Sequence, residues 1–184
     1  MKPGSIVKIF KSEKGNEVMV RFPTKDDLRD MHEYINKLSR EDTFLSVLGR
    51  YYSLKEEKDF LLMTLANIKK GNTRHYAVFV NNEYAGNCEI ERGKEHRQQH
   101  IGALGISLRK KYRGEGIGKE LFHMLIEEGK DMGLRLLKLS CFENNPVALN
   151  LYETLGFQRA GIIPGAFLYK GGYVGEVIMY LSLV

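Results

Sequence analysis

Three alternating glycines in the run Arg113-Gly114-Glu115-Gly116-Ile117-Gly118 constrain this chain more than any other segment. The run lies between a strand pattern and a helix pattern. Glycine adopts positive φ at little cost, so alternating glycines in a turn can direct backbone N–H groups toward an anion. The positive end of the following helix dipole adds to that attraction. The run therefore predicts a pyrophosphate-binding turn; the alternative is a glycine-rich turn that only connects the strand to the helix.

Two common phosphate-binding loops do not fit this run. A Walker loop continues with Ser or Thr after its Gly-Lys pair, but Gly118-Lys119 is followed by Glu120. A dinucleotide-binding fingerprint has the spacing GxGxxG and an acidic residue about twenty positions further on. Here the spacing is GxGxG, and Lys138 and Ser140 occupy the region of that acid. Both kinds of nucleotide site are therefore excluded.

Together with Gly105-Ile106-Ser107-Leu108, the RGxGxG run resembles the acetyl-CoA motif of the GNAT acetyltransferases. A second segment, residues 145–157, is similar to the family's block N-x-x-A-x-x-x-Y-x-x-x-G-F. The motifs come in the family's order, and the resemblance runs from about Arg74 to the C-terminus. It implies an acetyl-CoA-dependent N-acetyltransferase of the α/β (α+β) class. The implied GNAT fold is a mixed, mostly antiparallel sheet of about seven strands with helices on both faces.

Hydrophobic periodicity and capping signals predict the order β-α-α-β-β-β-α-β-α-β-β. The predicted strands cover residues 17–22, 76–80, 84–91, 100–108, 134–141, 157–163 and 173–183. The predicted helices begin near Leu28, after Ser53, at Ile117 and after Asn145. A tight turn is expected at Gly171-Gly172, between the last two strands. We expect residues 1–184 to form a single domain.

Composition limits the cellular setting and the partners. No apolar run is long enough to span a membrane, and Met1 to Lys14 lacks the apolar core of a secretory signal. Two cysteines, Cys88 and Cys141, predict a reducing compartment without a disulfide framework. The net charge of +5 comes from scattered basic residues, which makes nucleic acid an unexpected partner. We expect a cytoplasmic monomer or homodimer with no membrane partner.

The resemblance also implies which residues hold acetyl-CoA, and it implies no metal. The pantetheine arm would lie between two splayed strands, residues 100–108 and 134–141, and a main-chain N–H near Ile106 would polarise the thioester carbonyl. The implied cofactor contacts are Ile106, Ser107, Leu108, Arg113, Gly114, Glu115, Gly116, Ile117, Gly118, Lys119, Asn145 and Tyr152. Basic residues flank the loop (Arg109, Lys110, Lys111, Arg113 and Lys119), and a phosphate-rich ligand would account for them.

Tyr152 matches the family tyrosine that acts as general acid toward the CoA sulfur. A phenol with a pKa near 10 keeps its proton at neutral pH until a thiolate forms beside it. The alternative is a core tyrosine on the apolar face of its helix. Asn145 suits both a pantetheine contact and an ordinary helix N-cap, and the two roles are compatible.

The general base has several candidates. Many family members carry a Glu where this chain has Gly102 or Ala103, or Ser140. The substitutes are His100, since an imidazole titrates near pH 6.5, and Glu143. Further candidates are Glu89 and Glu91 on the preceding strand, and a chain of waters could carry the proton to solvent instead.

The acceptor is expected to be a primary amine of a protein, at a lysine or N-terminus, or of a small molecule. Residues that could select it are Glu41, Asp42, Phe44, Tyr51, Tyr52 and the Phe167–Tyr173 hairpin. Acidic groups would attract a cationic amine and aromatic rings would flank it. Because a fold does not fix a function, the rival hypothesis is a non-catalytic acyl-CoA sensor or nucleic-acid-binding protein on the same scaffold.

Overall fold

The computed structural model describes residues 2–41, 44–45 and 49–184. Two compact units make up the chain. The first contains Met1–Glu91 and Gly105–Leu121, and the second contains Arg92–Leu104 and Phe122–Val184. The glycine loop, which we define as residues 113–118, therefore lies in the first unit, and the segment that carries Tyr152 lies in the second.

Four antiparallel strands and two helices make up most of the first unit. The strands pair in the order β1 (Ile6–Lys11), β2 (Glu17–Arg21), β3 (Thr73–Val80) and β4 (Glu83–Arg92). The helices α1 (Leu28–Leu38) and α2 (Leu54–Lys70) pack on this sheet. The core between helices and strands consists of Met31, Tyr34, Leu38, Leu61, Ala77, Phe79 and Tyr84.

The capping box predicted for α2 is confirmed. The hydroxyl of Ser53 accepts a hydrogen bond from the Glu56 N–H at 3.2 Å, and the Glu56 carboxylate accepts one from the Ser53 N–H at 2.8 Å. Gly71 ends the helix at φ +76°, a conformation that glycine adopts without strain. These local signals fix both ends of the helix.

Two elements pass from one unit to the other. The strand β5 (Ile101–Leu108) begins in the second unit and ends in the first. The helix α3 (Ile117–Asp131) begins in the first unit, directly after the glycine loop, and continues in the second.

The second unit contains β6 (Leu136–Phe142), α4 (Pro146–Thr154), β7 (Gln158–Tyr169) and β8 (Gly172–Ser182). The start of β5 pairs in parallel with β6, from Ile101 opposite Leu136 to Ala103 opposite Lys138. Antiparallel pairing then joins β6 to β8 and β8 to β7. None of the helices in the described part of the chain is long and apolar enough to cross a bilayer.

The predicted fold class, a mixed and mostly antiparallel sheet with helices, is confirmed, with eight strands among the described residues. The prediction missed β1, because Ile6 and Ile9 are exposed and give no pattern of one buried face. It also ended β7 too early: the strand continues past Pro164 through an irregular register to Tyr169. The tight turn lies at Lys170-Gly171, where both φ angles are positive, rather than at Gly171-Gly172.

Candidate functional site

The glycine loop has the backbone conformation that its sequence predicts. Gly114 and Gly116 have φ angles of +71° and +73°. Left-handed residues that alternate with ordinary ones turn successive N–H groups toward one side and form an anion-binding concavity. Because α3 starts at Ile117, the positive end of that helix lies beside the concavity. The loop therefore has a backbone conformation that could bind a phosphate group.

The turn between β1 and β2 anchors this loop through the buried side chain of Glu115. The Ser12 hydroxyl donates a hydrogen bond to Glu115 Oε2 at 2.9 Å, and the Asn16 side-chain amide donates another at 2.8 Å. The Glu13 N–H donates to the Glu115 carbonyl at 3.0 Å. Asn16 and Ser12 lower the pKa of the Glu115 carboxyl by hydrogen bonding, and the charge of Lys14 adds to the effect.

This anchor restricts how Glu115 and Gly116 could meet a cofactor. The Glu115 carboxylate already accepts hydrogen bonds from Ser12 and Asn16 in the β1–β2 turn. Glu115 could therefore contact a ligand through its backbone but not through its side chain. A Cβ atom on Gly116 would lie 2.6 Å from a Glu13 carboxylate oxygen, whereas one on Gly114 would meet no atom within 4 Å. The loop is thus crowded on the side of the hairpin turn and open at Gly114.

Acidic side chains already pair with most of the basic residues around the loop. The pairs at 4 Å or less join Arg109 and Lys111 to Glu83, and Arg113 to Glu41. Lys110 and Lys119 are exposed and have no such carboxylate partner among the residues that the structure describes. A phosphate-rich ligand would therefore meet two unpaired lysines rather than five free cations.

The end of β5 lies close to β4 in the first unit. A Cβ atom on Gly86 would lie 2.1 Å from the Ser107 carbonyl oxygen, so only glycine fits there. The Ser107 hydroxyl donates to the Asn87 side chain at 2.9 Å, and the Leu108 carbonyl accepts from Arg113 Nε at 2.9 Å. The predicted contacts Ile106, Ser107 and Leu108 are thus held directly upstream of the loop.

In the second unit, α4 carries both residues that the second motif singled out. Asn145 is the N-cap, and its side-chain oxygen accepts from the Ala148 N–H at 3.2 Å. The half-buried Tyr152 ring packs edge-on against Phe122, with ring centroids 5.1 Å apart. Burial raises the pKa of Tyr152 to about 12, with a smaller contribution from Cys141. The phenol is therefore fully protonated at neutral pH.

Burial also raises the pKa of the Cys141 thiol to about 11. At neutral pH this thiol is protonated, and it is the thiolate that attacks acyl groups. Cys141 is therefore poorly suited to accept an acetyl group.

The candidate bases His100 and Glu143 lie at opposite ends of β6. The exposed His100 precedes β5, and its carbonyl accepts from the N–H groups of Arg135 and Leu136, where β6 begins. Glu143 follows the other end of β6, and its carboxylate accepts from the Gly175 N–H at 3.2 Å. Seven residues of strand separate these ends by roughly 20 Å. The structure therefore groups Glu143 with Asn145, and it places His100 away from both.

The strand β6 has a partner on both sides at its start. It pairs with β8 from Leu136 to Phe142 and with the start of β5 from Leu136 to Lys138.

Some of the residues expected to select an acceptor are held by contacts within the protein, and others have exposed side chains. Glu41 pairs with Arg113, and Asp42 lies outside the described residues. The Tyr52 backbone is fixed by the side chain of Asn36, while the Tyr51 ring is 67% exposed. In the second unit, Phe167 stacks on Phe142 with centroids 4.0 Å apart, and Tyr173 is exposed.

His75 was not among the predicted site residues, because no motif contains it. Its Nδ1 atom lies 2.8 Å from a carboxylate oxygen of Glu89, across the β3–β4 pair. The part of the chain that the structure describes has no group of three or more His, Cys, Asp and Glu side chains placed to bind a metal.

Comparison with known proteins identifies one family. The model of the acetyltransferase (GNAT) family matches residues 33–157. An uncharacterised N-acetyltransferase of Bacillus subtilis (strain 168) is 36% identical over 69 residues, which are 38% of this chain and 44% of that protein. One from Lactobacillus delbrueckii subsp. lactis is 29% identical over 141 residues, 71% of this chain and 80% of that protein.

A third relative has a stated acceptor. The alanine N-acetyltransferase of ribosomal protein bS18 from Escherichia coli (strain K12) is 32% identical over 80 residues. This segment is 44% of the present chain and 54% of the relative. The matches thus span less than two thirds of the Bacillus and Escherichia proteins.

Solved structures share the fold over most of the chain. A GNAT-family acetyltransferase from Streptococcus pneumoniae has a TM-score of 0.80 and 27% identity, and covers 90% of this chain and 99% of its own. An acetyltransferase from Salmonella typhimurium, solved with acetyl-CoA, has a TM-score of 0.77 at 17% identity, with 91% and 94% coverage. At that identity the second likeness concerns the fold alone.

Proposed function

We propose, from the premise that this chain belongs to the acetyltransferase (GNAT) family, that it transfers the acetyl group of acetyl-CoA to a primary amine. The observation that carries the proposal is the glycine loop. Gly114 and Gly116 are left-handed, the loop leads directly into α3, and a buried carboxylate anchors it. A backbone concavity of this kind suits the pyrophosphate of CoA.

The residues proposed to hold acetyl-CoA follow from this loop. The N–H groups of residues 114–119 would bind the pyrophosphate, and Lys119 would add an unpaired positive charge. The backbone of Ile106, Ser107 and Leu108 would bind the pantetheine arm together with Asn145. Arg113 would mainly hold the loop in its conformation rather than contact the cofactor, because its guanidinium already binds Glu41 and the Leu108 carbonyl.

The transfer itself is a direct attack of the amine nitrogen on the thioester carbon. The N–C bond forms, the carbonyl oxygen gains negative charge that the Ile106 N–H would stabilise, and the C–S bond then breaks. Tyr152 is the proposed general acid toward the departing sulfur. With a pKa of about 12, it is a weaker acid than an ordinary thiol, whose pKa is about 8.5. We therefore propose that Tyr152 mainly donates a hydrogen bond to the developing thiolate and that solvent supplies any lasting proton.

The acceptor is proposed only as a class, a primary amine on a protein or a small molecule. One relative is named as an N-acetyltransferase for an alanine of ribosomal protein bS18, which is a protein acceptor. We retain as proposals a single domain over residues 1–184, a cytoplasmic location and a monomer or homodimer.

Two measurements test the function. Acetyl-CoA at a hundred times its Kd should raise the free energy of unfolding by about 2.7 kcal/mol. Free thiol should then be released from acetyl-CoA when a panel of amines is added, with the acetylated amine identified by mass spectrometry. Stabilisation without thiol release for any amine would favour the acyl-CoA sensor, and no stabilisation would contradict both hypotheses.

A further inference from the structure

We propose that Glu89, oriented by the buried His75, is the group that accepts the proton of the acceptor amine. This assignment rests on the proposed acetyl transfer. It replaces neither Tyr152 nor the glycine loop, and it gives a role to a pair of side chains that lies on the first unit's own strands.

The pair is fixed by strand register. His75 on β3 lies directly opposite Glu89 on β4, and the imidazole Nδ1 is 2.8 Å from Glu89 Oε2. The His75 side chain is 2% exposed, whereas that of Glu89 is 44% exposed. His75 Nε2 is buried and has no hydrogen-bond partner among the described residues. The imidazole therefore has one polar partner there, and that partner reaches solvent.

The second carboxylate oxygen of Glu89 lies over β5. A Cβ atom placed on Gly105 would be 3.4 Å from Glu89 Oε1. The carboxylate therefore lies at about van der Waals distance from the Cβ position of residue 105. Gly105 immediately precedes Ile106, whose N–H is proposed to bind the thioester carbonyl. The carboxylate thus lies one residue away from the proposed site of the reaction.

Glu89 also faces the side of the sheet that α1 and α2 cover. The aromatic ring of Phe60 on α2 packs edge-on against His75, with centroids 6.0 Å apart. Asn87, two residues before Glu89 on the same face of β4, receives the hydrogen bond of Ser107. The acceptor-selecting residues of the first unit were expected on these helices and the segment between them.

Further acidic side chains lie on the elements that carry or cover the pair. Glu57 on α2 is buried; burial raises the pKa of its carboxyl, and the charges of His32 and His75 oppose that effect. Glu91 is two residues beyond Glu89 on the same face of β4. The Glu89 carboxylate itself favours a cationic amine over an anionic acceptor.

The pair keeps the Glu89 carboxylate ionised. Burial alone would raise the pKa of Glu89, but the hydrogen bond and the charge of His75 outweigh it and hold the pKa below its usual value. At neutral pH the group is therefore an anion that can bind an ammonium ion. It takes one proton from the bound ammonium before the attack, which leaves the nitrogen with the lone pair that bonds to the carbonyl carbon.

The protons balance as follows. An ammonium acceptor loses two protons when it becomes an amide, while the thiolate gains one. The N–C bond forms as the C–S bond breaks, the sulfur receives one proton with the help of Tyr152, and Glu89 passes the other to solvent through its exposed side. No oxidant or further reactant is needed.

The first experiment compares Glu89→Gln with Glu91→Gln in thiol release and in acetyl-CoA affinity. General base catalysis typically contributes about a hundredfold or more, so Glu89→Gln should lose that much in kcat while its Kd for acetyl-CoA is unchanged. Glu91→Gln removes the same charge from the same strand and should keep most of the activity. Equal activity of the two variants would overturn the role of Glu89.

Two further results separate this inference from the proposed function. If the parent releases no thiol with any amine, acetyl transfer itself is contradicted. If Glu89→Gln does not fold, Glu89→Asp provides the same test, because it keeps the charge but withdraws it from Gly105. An Asp variant with the parent's kcat would contradict the assignment.

The second experiment tests His75 as a positioning residue through the pH profile. His75→Leu leaves burial unopposed, so the acid limb of kcat/KM that belongs to Glu89 should move to higher pH. His75→Asn places an amide donor where Nδ1 was, and should move the limb less. If both variants lose stability equally and neither moves the limb, His75 is only a packing residue and the proposed orientation of Glu89 is wrong.

Discussion

The glycine loop and residues 49–53 belong to the same unit but are held in opposite ways. The loop is anchored by a side chain, since the buried Glu115 carboxylate binds Ser12 and Asn16. Residues 49–53 are anchored by their backbone, since the Tyr52 N–H and carbonyl bind the side chain of Asn36. The loop is thus free to offer its backbone to a ligand, whereas residues 49–53 offer side chains such as the exposed Tyr51.

This contrast explains why the cofactor is easier to infer than the acceptor. A site made from backbone N–H groups demands a particular conformation, and the demand shows in the sequence as glycines at fixed spacing. A site made from exposed side chains imposes no such spacing. The first region can therefore be tested by changing backbone geometry, and the second only by changing individual side chains.

Gly116→Asp should have the largest effect. A Cβ atom at this position would lie 2.6 Å from the Glu13 carboxylate, at a φ of +73°, and the new charge would face both that group and the pyrophosphate. Two like charges near a protein surface repel by about 4 kcal/mol at 4 Å, so the Kd for acetyl-CoA should rise about a hundredfold or more. Isothermal titration calorimetry measures this change.

The matched control is Gly114→Ala. It has the same left-handed conformation, with a φ of +71°, but open space around its Cβ position. Its free energy of unfolding should fall by roughly 1 kcal/mol, the cost of a left-handed alanine. Its Kd for acetyl-CoA should rise much less than that of Gly116→Asp. Equal losses for the two variants would show that conformation alone, and not the hairpin side of the loop, controls binding.

Tyr152→Phe should separate binding from chemistry. Only the hydroxyl is removed, so the ring should keep its packing on Phe122 and the Kd for acetyl-CoA should stay within a few-fold of the parent. We expect kcat to fall about a hundredfold. Single-turnover kinetics would show whether the chemical step is the one affected; an unchanged chemical rate would contradict the role of Tyr152.

Glu115→Gln tests the anchor of the loop. The amide keeps the shape of the side chain but leaves the donors Ser12 and Asn16 with a weaker acceptor, so acetyl-CoA affinity should fall by about tenfold. Because the pKa of Glu115 is lowered in the folded protein, the carboxylate stabilises the fold above its ordinary pKa. That stabilisation is lost as the pH falls through the lowered pKa.

The Tm difference between the parent and Glu115→Gln should therefore be largest at neutral pH and become smaller in acid.

Asn36→Leu is the corresponding variant for the other region, since it removes the side chain that holds the backbone of residues 49–53. It should change the KM of the amine and leave the Kd of acetyl-CoA unaltered. A change in that Kd would show that the two regions are not independent.

The sequence predicted the parts of the site that depend on local conformation. The turns at Gly114 and Gly116, the N-cap at Asn145 and the position of Tyr152 on its helix all follow from residues close together in the chain. The anchor did not follow, because Ser12 and Glu115 are 103 residues apart and neither belongs to a periodic pattern. A contact between polar residues that distant leaves no signal in one sequence.

The pairing of His75 with Glu89 escaped prediction for a different reason. Val80 opposite Glu83, next to the turn, gives a register that would place Cys88 opposite His75. An irregularity between Val78 and Phe79 shifts the pairing by one residue and brings Glu89 to that place instead. A one-residue shift moves a side chain to the other face of a sheet, so the pair depends on this bulge. No pattern in the sequence predicts the bulge.

Tyr51→Ala should have a small effect that falls on the acceptor alone. The ring is 67% exposed and touches His32 edge-on, so the free energy of unfolding should change by no more than about 0.5 kcal/mol. If residues 49–53 select the amine through their side chains, the KM of good acceptors should rise a few-fold with kcat and acetyl-CoA binding retained. Unchanged KM values across an amine panel would remove Tyr51 from the acceptor site.

His100→Gln should have the smallest effect on kcat/KM. The pH profile of this variant shows whether His100 or Glu89 accepts the proton of the amine. The side chain is exposed just before β5, and the backbone carbonyl accepts from the N–H groups of Arg135 and Leu136. We expect the acid limb of kcat/KM that belongs to Glu89 to persist in this variant and in Glu143→Gln. Because Glu89 is proposed to take the proton of a bound ammonium, this limb should stay at the same pH for acceptors of different amine pKa. A limb that moves with the pKa of the acceptor, which is near 10.4 for an aliphatic ammonium, would show that the acceptor arrives as a free amine and would remove the role of Glu89. A limb that stays fixed across acceptors but disappears in His100→Gln would instead assign the proton to His100, and Glu89 would lose its role.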